Sequence, residues 1–147
     1  MSQSHTEHGA ALVEFAIALP LLLITIGGIA DFGLMLRTFE VTANAAREGA
    51  RLAAIPGNEE NGYASVIARV TDCLTDSRLT GSRTVAVAPE AVALGGLTAS
   101  GVRVTVTYDY DSLFLGRLAG LFGGTFTDTI TIRSTALMRL QVAGVAS

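Results

Sequence analysis

GAALVEFAIALPLLLITIGGIAD, residues Gly9 to Asp31, decides how the rest of the chain has to be arranged. From Ala10 to Ala30 it holds 21 residues and a single charge, Glu14. A helix of about 20 apolar residues is long enough to cross the roughly 30 Å hydrocarbon core of a bilayer. The stretch therefore reads as a membrane-spanning helix close to the N-terminus. The carboxylate near its start is the anomaly. A charge held at bilayer depth costs on the order of 3 kcal/mol, so such a residue normally has a partner. A cut after Gly9 would create an amino group at Ala10. Glu14 would then lie four residues on, one helical turn away and on the same face.

Outward from this stretch, Met1 to Gly9 (MSQSHTEHG) is short and polar and has no basic residue. It lacks the basic n-region of a secretory signal peptide, and the apolar run behind it is too long for one. Pro20 removes one backbone bond and is expected to bend the helix. Gly27, Gly28 and Gly33 would allow a second helix to come close, or reflect ordinary membrane-helix composition. Beyond Asp31 no proline occurs until Pro56, and Ala43, Ala46, Ala50 and Ala53 form a stripe at three- and four-residue steps. Glu40, Arg47, Glu48 and Arg51 fall off that stripe, with Glu48 and Arg51 spaced for a weak surface pair. Pro56-Gly57 ends the helix. A helix from Ala11 to Ala54 would be about 66 Å long, twice the depth of a bilayer core, so half of it must project.

The string GAALVEFAIALPLLL, followed by DFG and by NAAREGAR at Asn44 to Arg51, resembles the TadE-like pseudopilins of the tight-adherence (Tad) pilus, with a type IV pilin-like N-terminus. The resemblance is close over Gly9 to Ala53 and loose beyond. It implies a leader of residues 1–9, a cut between Gly9 and Ala10 by a prepilin peptidase, and a role in N-terminal pairing and assembly for Glu14 with its neighbour Phe15. It implies helix packing through Ala43, Ala46, Arg47, Gly49, Ala50 and Arg51. The partners it implies are other pilins or pseudopilins, the pilus assembly platform and the bacterial inner membrane. It also puts the globular part outside the cytoplasm. The basic residues point the other way: Arg37, Arg47 and Arg51 all follow the span, and positive charge favours the cytoplasmic side. We follow the orientation that the resemblance implies.

The rest of the chain alternates between helix and strand patterns. Asn58 to Asn61 is a polar loop. Gly62 to about Ser77 has helical spacing, with Val66, Ile67, Val70, Cys73 and Leu74 on one face. Cys73 is the single cysteine, so it forms no intrachain disulfide and is expected to be a small core residue. Thr84 to Ala88 is a candidate short strand. Pro89 to Gly101, rich in glycine and small residues, reads as a loop with a possible helical turn at Glu90 to Leu94. Val102 to Tyr110 and Thr129 to Gln141 alternate apolar and polar residues, the pattern of half-buried antiparallel strands. Leu113 to Phe122 is apolar but too short and too interrupted to span a membrane as a helix. Part of it is expected to cover the sheet.

Composition excludes much chemistry. Half of the 147 residues are hydrophobic and only 16% are charged, against roughly 25% in an average soluble domain. The net charge of −3 gives no footprint for nucleic acid. All ten basic residues are arginine, so no Schiff-base or phosphate-loop lysine exists. His5 and His8 both precede Gly9, which leaves no Ser-His-Asp or Cys-His arrangement in a processed chain. No metal-ligand spacing appears, and no cofactor is expected. Asp109 and Asp111 read as solvent-face charges at a strand end rather than a calcium site.

The expected fold is α+β: a long N-terminal transmembrane-plus-projecting helix over 10–54 (about 10–36 in the membrane), then a small extracytoplasmic domain over 55–147 with a second short helix and an antiparallel sheet. The expected function is that of a non-enzymatic minor pilin or pseudopilin. The alternative is an uncleaved single-span anchor presenting an adaptor or binding domain.

Overall fold

The computed structural model describes residues 4–79, 81–95, 97–114, 116, 120 and 129–141. Their order is α1 (Ser4–Ala53), α2 (Ala64–Asp76), β1 (Arg83–Leu94), β2 (Leu97–Asp111) and β3 (Thr129–Arg139). The chain is therefore α+β, with the long apolar helix first and, among the described residues, one antiparallel sheet of order β1-β2-β3. The described residues fall into two units. The first comprises those of Met1–Leu34 and Ser112–Asp128, the second those of Met35–Asp111 and Thr129–Ser147.

In the first unit α1 already runs as helix from Ser4, through Gly9 and past Pro20. Proline has no N–H, so the ladder lacks one bond at that turn. The hydroxyl of Thr25 donates to the carbonyl oxygen of Leu21 at 2.9 Å, which satisfies a polar group in an apolar stretch.

In the second unit the central strand β2 supplies the core. Val102, Val104 and Val106 are fully buried, and Tyr108 and Tyr110 nearly so, as the period-2 pattern predicts. On α1 the buried side is Thr42, Ala45, Ala46, Ala50 and Ala53. Helix α2 contributes Val66, Val70 and Leu74, one row at four-residue steps. The sequence pattern gave this helix a wider apolar face, but Ile67 is exposed and Cys73 is half-buried. A single row suffices because α2 meets its neighbours along one line. Arg83, at the start of β1, donates to the Leu79 carbonyl at 2.6 Å and to the Thr75 hydroxyl at 2.9 Å, so it closes the turn that follows α2.

One expectation needs correction. Pro89 to Gly101 is not a loop: β1 and β2 form a long hairpin that pairs from Arg83↔Tyr108 to Leu94↔Leu97. Gly95 follows the last residue of β1 with φ +54°, the left-handed backbone that tight hairpin turns require and glycine supplies. Pro89 is tolerated because β1 is an edge strand. The short, small side chains of this segment hid the alternation. Of Leu113 to Phe122, Leu113 and Phe114 belong to the first unit and are half exposed. Residues 115, 117–119, 121 and 122 of that stretch lie outside the described residues.

Candidate functional site

The candidate residues read from the sequence all lie on α1, and each unit presents a different part of it. In the first unit the apolar residues point outward all round the helix. Leu12, Val13, Phe15, Ile17, Leu21 and Ile29 are each 60–73% exposed. A helix that is apolar on every side and uncovered over most of that stretch is built for lipid or for other helices. It is the one helix among the described residues long and apolar enough to cross a membrane. A soluble core helix can be as apolar, but almost all of this one's most apolar stretch is uncovered.

Gly9, Ala10, Glu14 and Phe15 all lie on this exposed part. An added Cβ at Gly9 would meet nothing within 4 Å. Glu14 follows Ala10 by four residues of helix, which places the two on one face a turn apart.

At the far end of the apolar run is a residue whose role the sequence did not disclose. Asp31 is only 3% exposed. Its Oδ1 accepts the backbone N–H of Leu113 at 3.0 Å, and its Oδ2 accepts that of Phe114 at 3.0 Å. Two charge-assisted bonds, one to each oxygen, replace the water that burial removes. The Ser112 hydroxyl accepts the N–H of Gly116 at 3.2 Å and so closes the following turn. The only sequence signal for this arrangement was an acidic residue at the boundary of the span.

In the second unit the small-residue stripe is a packing face. Ala46 and Ala50 are 1% exposed, and Ala43 is half-buried. Gly49 allows the closest approach. A Cβ there would lie 2.5 Å from Val70 Cγ2 and 3.2 Å from Val104 Cγ1, so α1, α2 and β2 meet where no side chain fits. Arg47 and Arg51 lie on the solvent side. Arg51 binds both oxygens of Glu48 at 3.0 and 3.1 Å. That hydrogen bond holds the Glu48 carboxyl below its ordinary range and keeps Arg51 protonated to higher pH. Arg47 donates to the side-chain oxygen of Asn44.

Asp109 and Asp111 accept the hydroxyls of Thr131 and Thr129 across the β2–β3 pair, each at 2.9 Å. They serve strand pairing. Among the described residues no group of histidine, cysteine and carboxylate side chains is placed to hold a metal ion.

Residues 9–51 match the family described as TadE-like protein. The matched segment runs from Gly9 through Glu14 and the alanine stripe to Arg51, and so takes in both faces of α1 described above. Over that segment the chain is similar to the TadE-like family. No curated protein and no solved structure matches the chain significantly.

Proposed function

We propose that this chain, TadE-like over its first helix, is a minor pilin or pseudopilin for assembly of a tight-adherence type IVb pilus. A prepilin peptidase cuts between Gly9 and Ala10. The mature helix lies in the inner membrane, and residues 55–147 form a domain outside the cytoplasm. Assembly proceeds by lateral association of α1 with other pilins and with the assembly platform. The observation that carries this reading is Glu14, exposed on a helix that is otherwise apolar from Ala10 to Ala30.

The physical logic follows from the cut. A helix that begins at Ala10 has a free ammonium and four unpaired backbone N–H groups at its start. Glu14 lies one turn away, and its charge opposes both the ammonium and the positive end of the helix dipole. Within lipid a lone carboxylate is costly and a lone ammonium equally so, while the pair is not. The ammonium of the same chain or of a neighbouring pilin satisfies the carboxylate, and the second arrangement fixes the register between two helices.

The uncleaved single-span anchor draws on one observation: α1 continues without a break through Gly9. Mass spectrometry of the N-terminus, in a host with the cognate peptidase, separates the two readings. A mature chain that starts at Ala10 is the expected result. A chain that keeps Met1 or Ser2 would leave the anchor reading standing and remove ours.

A further inference from the structure

The tie between Asp31 and the 113–114 backbone has a geometry that the pilin reading does not use. From Ala10 to Asp31 the helix rises about 32 Å, close to the thickness of the hydrocarbon core of a bilayer. Asp31 is thus at the height where the helix leaves the apolar layer. Through its two bonds it fixes the backbone of Leu113 and Phe114 at that same height. Both side chains are left outward, 50% and 47% exposed, on the unit that carries the exposed apolar stretch of α1. Phe32, next in the helix, is 62% exposed.

We infer that Leu113 and Phe114 form a second, non-spanning membrane contact, held by Asp31 in the lipid interface where α1 leaves the bilayer. The inference rests on α1 being a membrane span, but not on cleavage or pilus assembly.

The bilayer is the occupant that the placement selects. Leu113 and Phe114 extend the lipid-facing surface of α1 at its rim, and two large apolar side chains in water there would gain nothing from exposure. Aromatic and aliphatic side chains settle at the boundary of headgroups and acyl chains. The bonding also explains why the carboxylate is needed. A backbone segment that enters the interface must have its N–H groups paired, since unpaired ones are costly away from water. Asp31 pairs two in succession, one with each oxygen. An amide at position 31 has a single acceptor oxygen and would turn N–H against N–H at the other site.

The chain contains no tryptophan, so a single introduced one reports depth without background. The full chain is reconstituted in phosphatidylcholine vesicles whose lipids carry bromine either high on the acyl chain or near its end. Phe114→Trp should lose about half its emission to the shallow bromine and much less to the deep one, as interfacial tryptophan does. Leu22→Trp, in the middle of the span, should show the reverse order. Adding Asp31→Asn to Phe114→Trp should cut the shallow quenching at least about twofold and open the indole to aqueous iodide. Leu113→Pro removes one donor and leaves the carboxylate, and should have the same effect in smaller measure. Phe114→Trp quenched by iodide but not by lipid, or by neither, overturns the inference while Leu22→Trp still reports a span. Quenching at Phe114→Trp that neither Asp31→Asn nor Leu113→Pro alters overturns the role of Asp31. Failure of Leu22→Trp to respond to the deep bromine removes the span, and with it both this inference and the proposed function.

Discussion

Thr42 on α1 and Ser134 on β3 share a buried hydrogen bond of 2.9 Å, although 92 residues separate them. It is a side-chain bond that ties the helix directly to the sheet, in a core that is largely apolar. The Thr42 hydroxyl also bonds to the Phe39 carbonyl oxygen at 3.0 Å. Ser134→Ala leaves Thr42 with that local bond, so it should cost about 1 kcal/mol. Thr42→Val leaves the buried Ser134 hydroxyl without its helix partner and should cost more, about 1–3 kcal/mol. The double substitution should cost less than the two summed, because the second change removes an already orphaned group. Urea unfolding of the full chain in micelles, followed by the tyrosine signal, measures all three. Additive losses would mean that the bond carries no energy.

Gly49 should tolerate no side chain. Gly49→Ala gains up to about 1 kcal/mol of helix propensity but drives a methyl group into Val70 and Val104. The net effect should be a loss of about 1–3 kcal/mol. Val70→Ala opens the space, so adding it to Gly49→Ala should cost less than it does alone. The same unfolding measurement detects this reversal.

Along the stripe, Ala46→Leu and Ala50→Leu should each overpack and cost about 1–3 kcal/mol. Ala43→Leu, at a half-buried position, should cost less. Arg47→Ala and Arg51→Ala lie on the wet side and should leave the unfolding midpoint nearly unchanged. If they nonetheless reduce pilus output at normal stability, that face of the helix contacts a partner.

The order of sensitivity along α1 follows from what the sequence did and did not reveal. The apolar run could be read directly from its length and lack of charge, and the alanine stripe and the alternation in β2 and β3 because each is a local period imposed by one buried face. The hairpin through Pro89 to Gly101 could not. Alanine, serine and glycine bury too little to mark a face, and only Gly95-Gly96 signalled the turn. The tie from Asp31 to Leu113 and Phe114 was also hidden. It uses backbone donors, which every residue has, at a separation that no local pattern encodes.

Position 9 offers a clean test of processing. The space round Gly9 is open, so Gly9→Leu should leave the helix and its membrane insertion intact. A bulky residue at the cut should nonetheless block cleavage. Immunoblots of membrane fractions should show the variant at normal level and at precursor size. Normal maturation would mean that the glycine is not what the peptidase requires.

Glu14 is the residue on which the proposed mechanism turns. Glu14→Ala should insert as well as the parent, since loss of a charge makes an apolar helix easier to insert. It should also be cleaved, and should fail to associate with partner pilins. Glu14→Gln keeps shape and hydrogen bonding but not charge, and should fail nearly as badly. Glu14→Asp should be intermediate. Cross-linking to pilus components at matched membrane levels is the measurement. If Gln behaves like Glu, charge pairing is not the reason for the residue.

The bond between Thr42 and Ser134, and the one from the Gln141 N–H to the Ala54 carbonyl oxygen at 3.0 Å, have a kinetic meaning as well. Both close large loops, and contacts of that separation form late. The hairpin of β1 and β2 can form from neighbouring residues, but the projecting half of α1 has no complete bed until β3 emerges. As the chain folds, its alanine face and the open edge of β2 are therefore exposed together, for as long as the last strand takes to arrive. A chain halted before Thr129 would hold both in the open, and it is this incomplete species, not the finished fold, that would be most prone to aggregate or to need an escort.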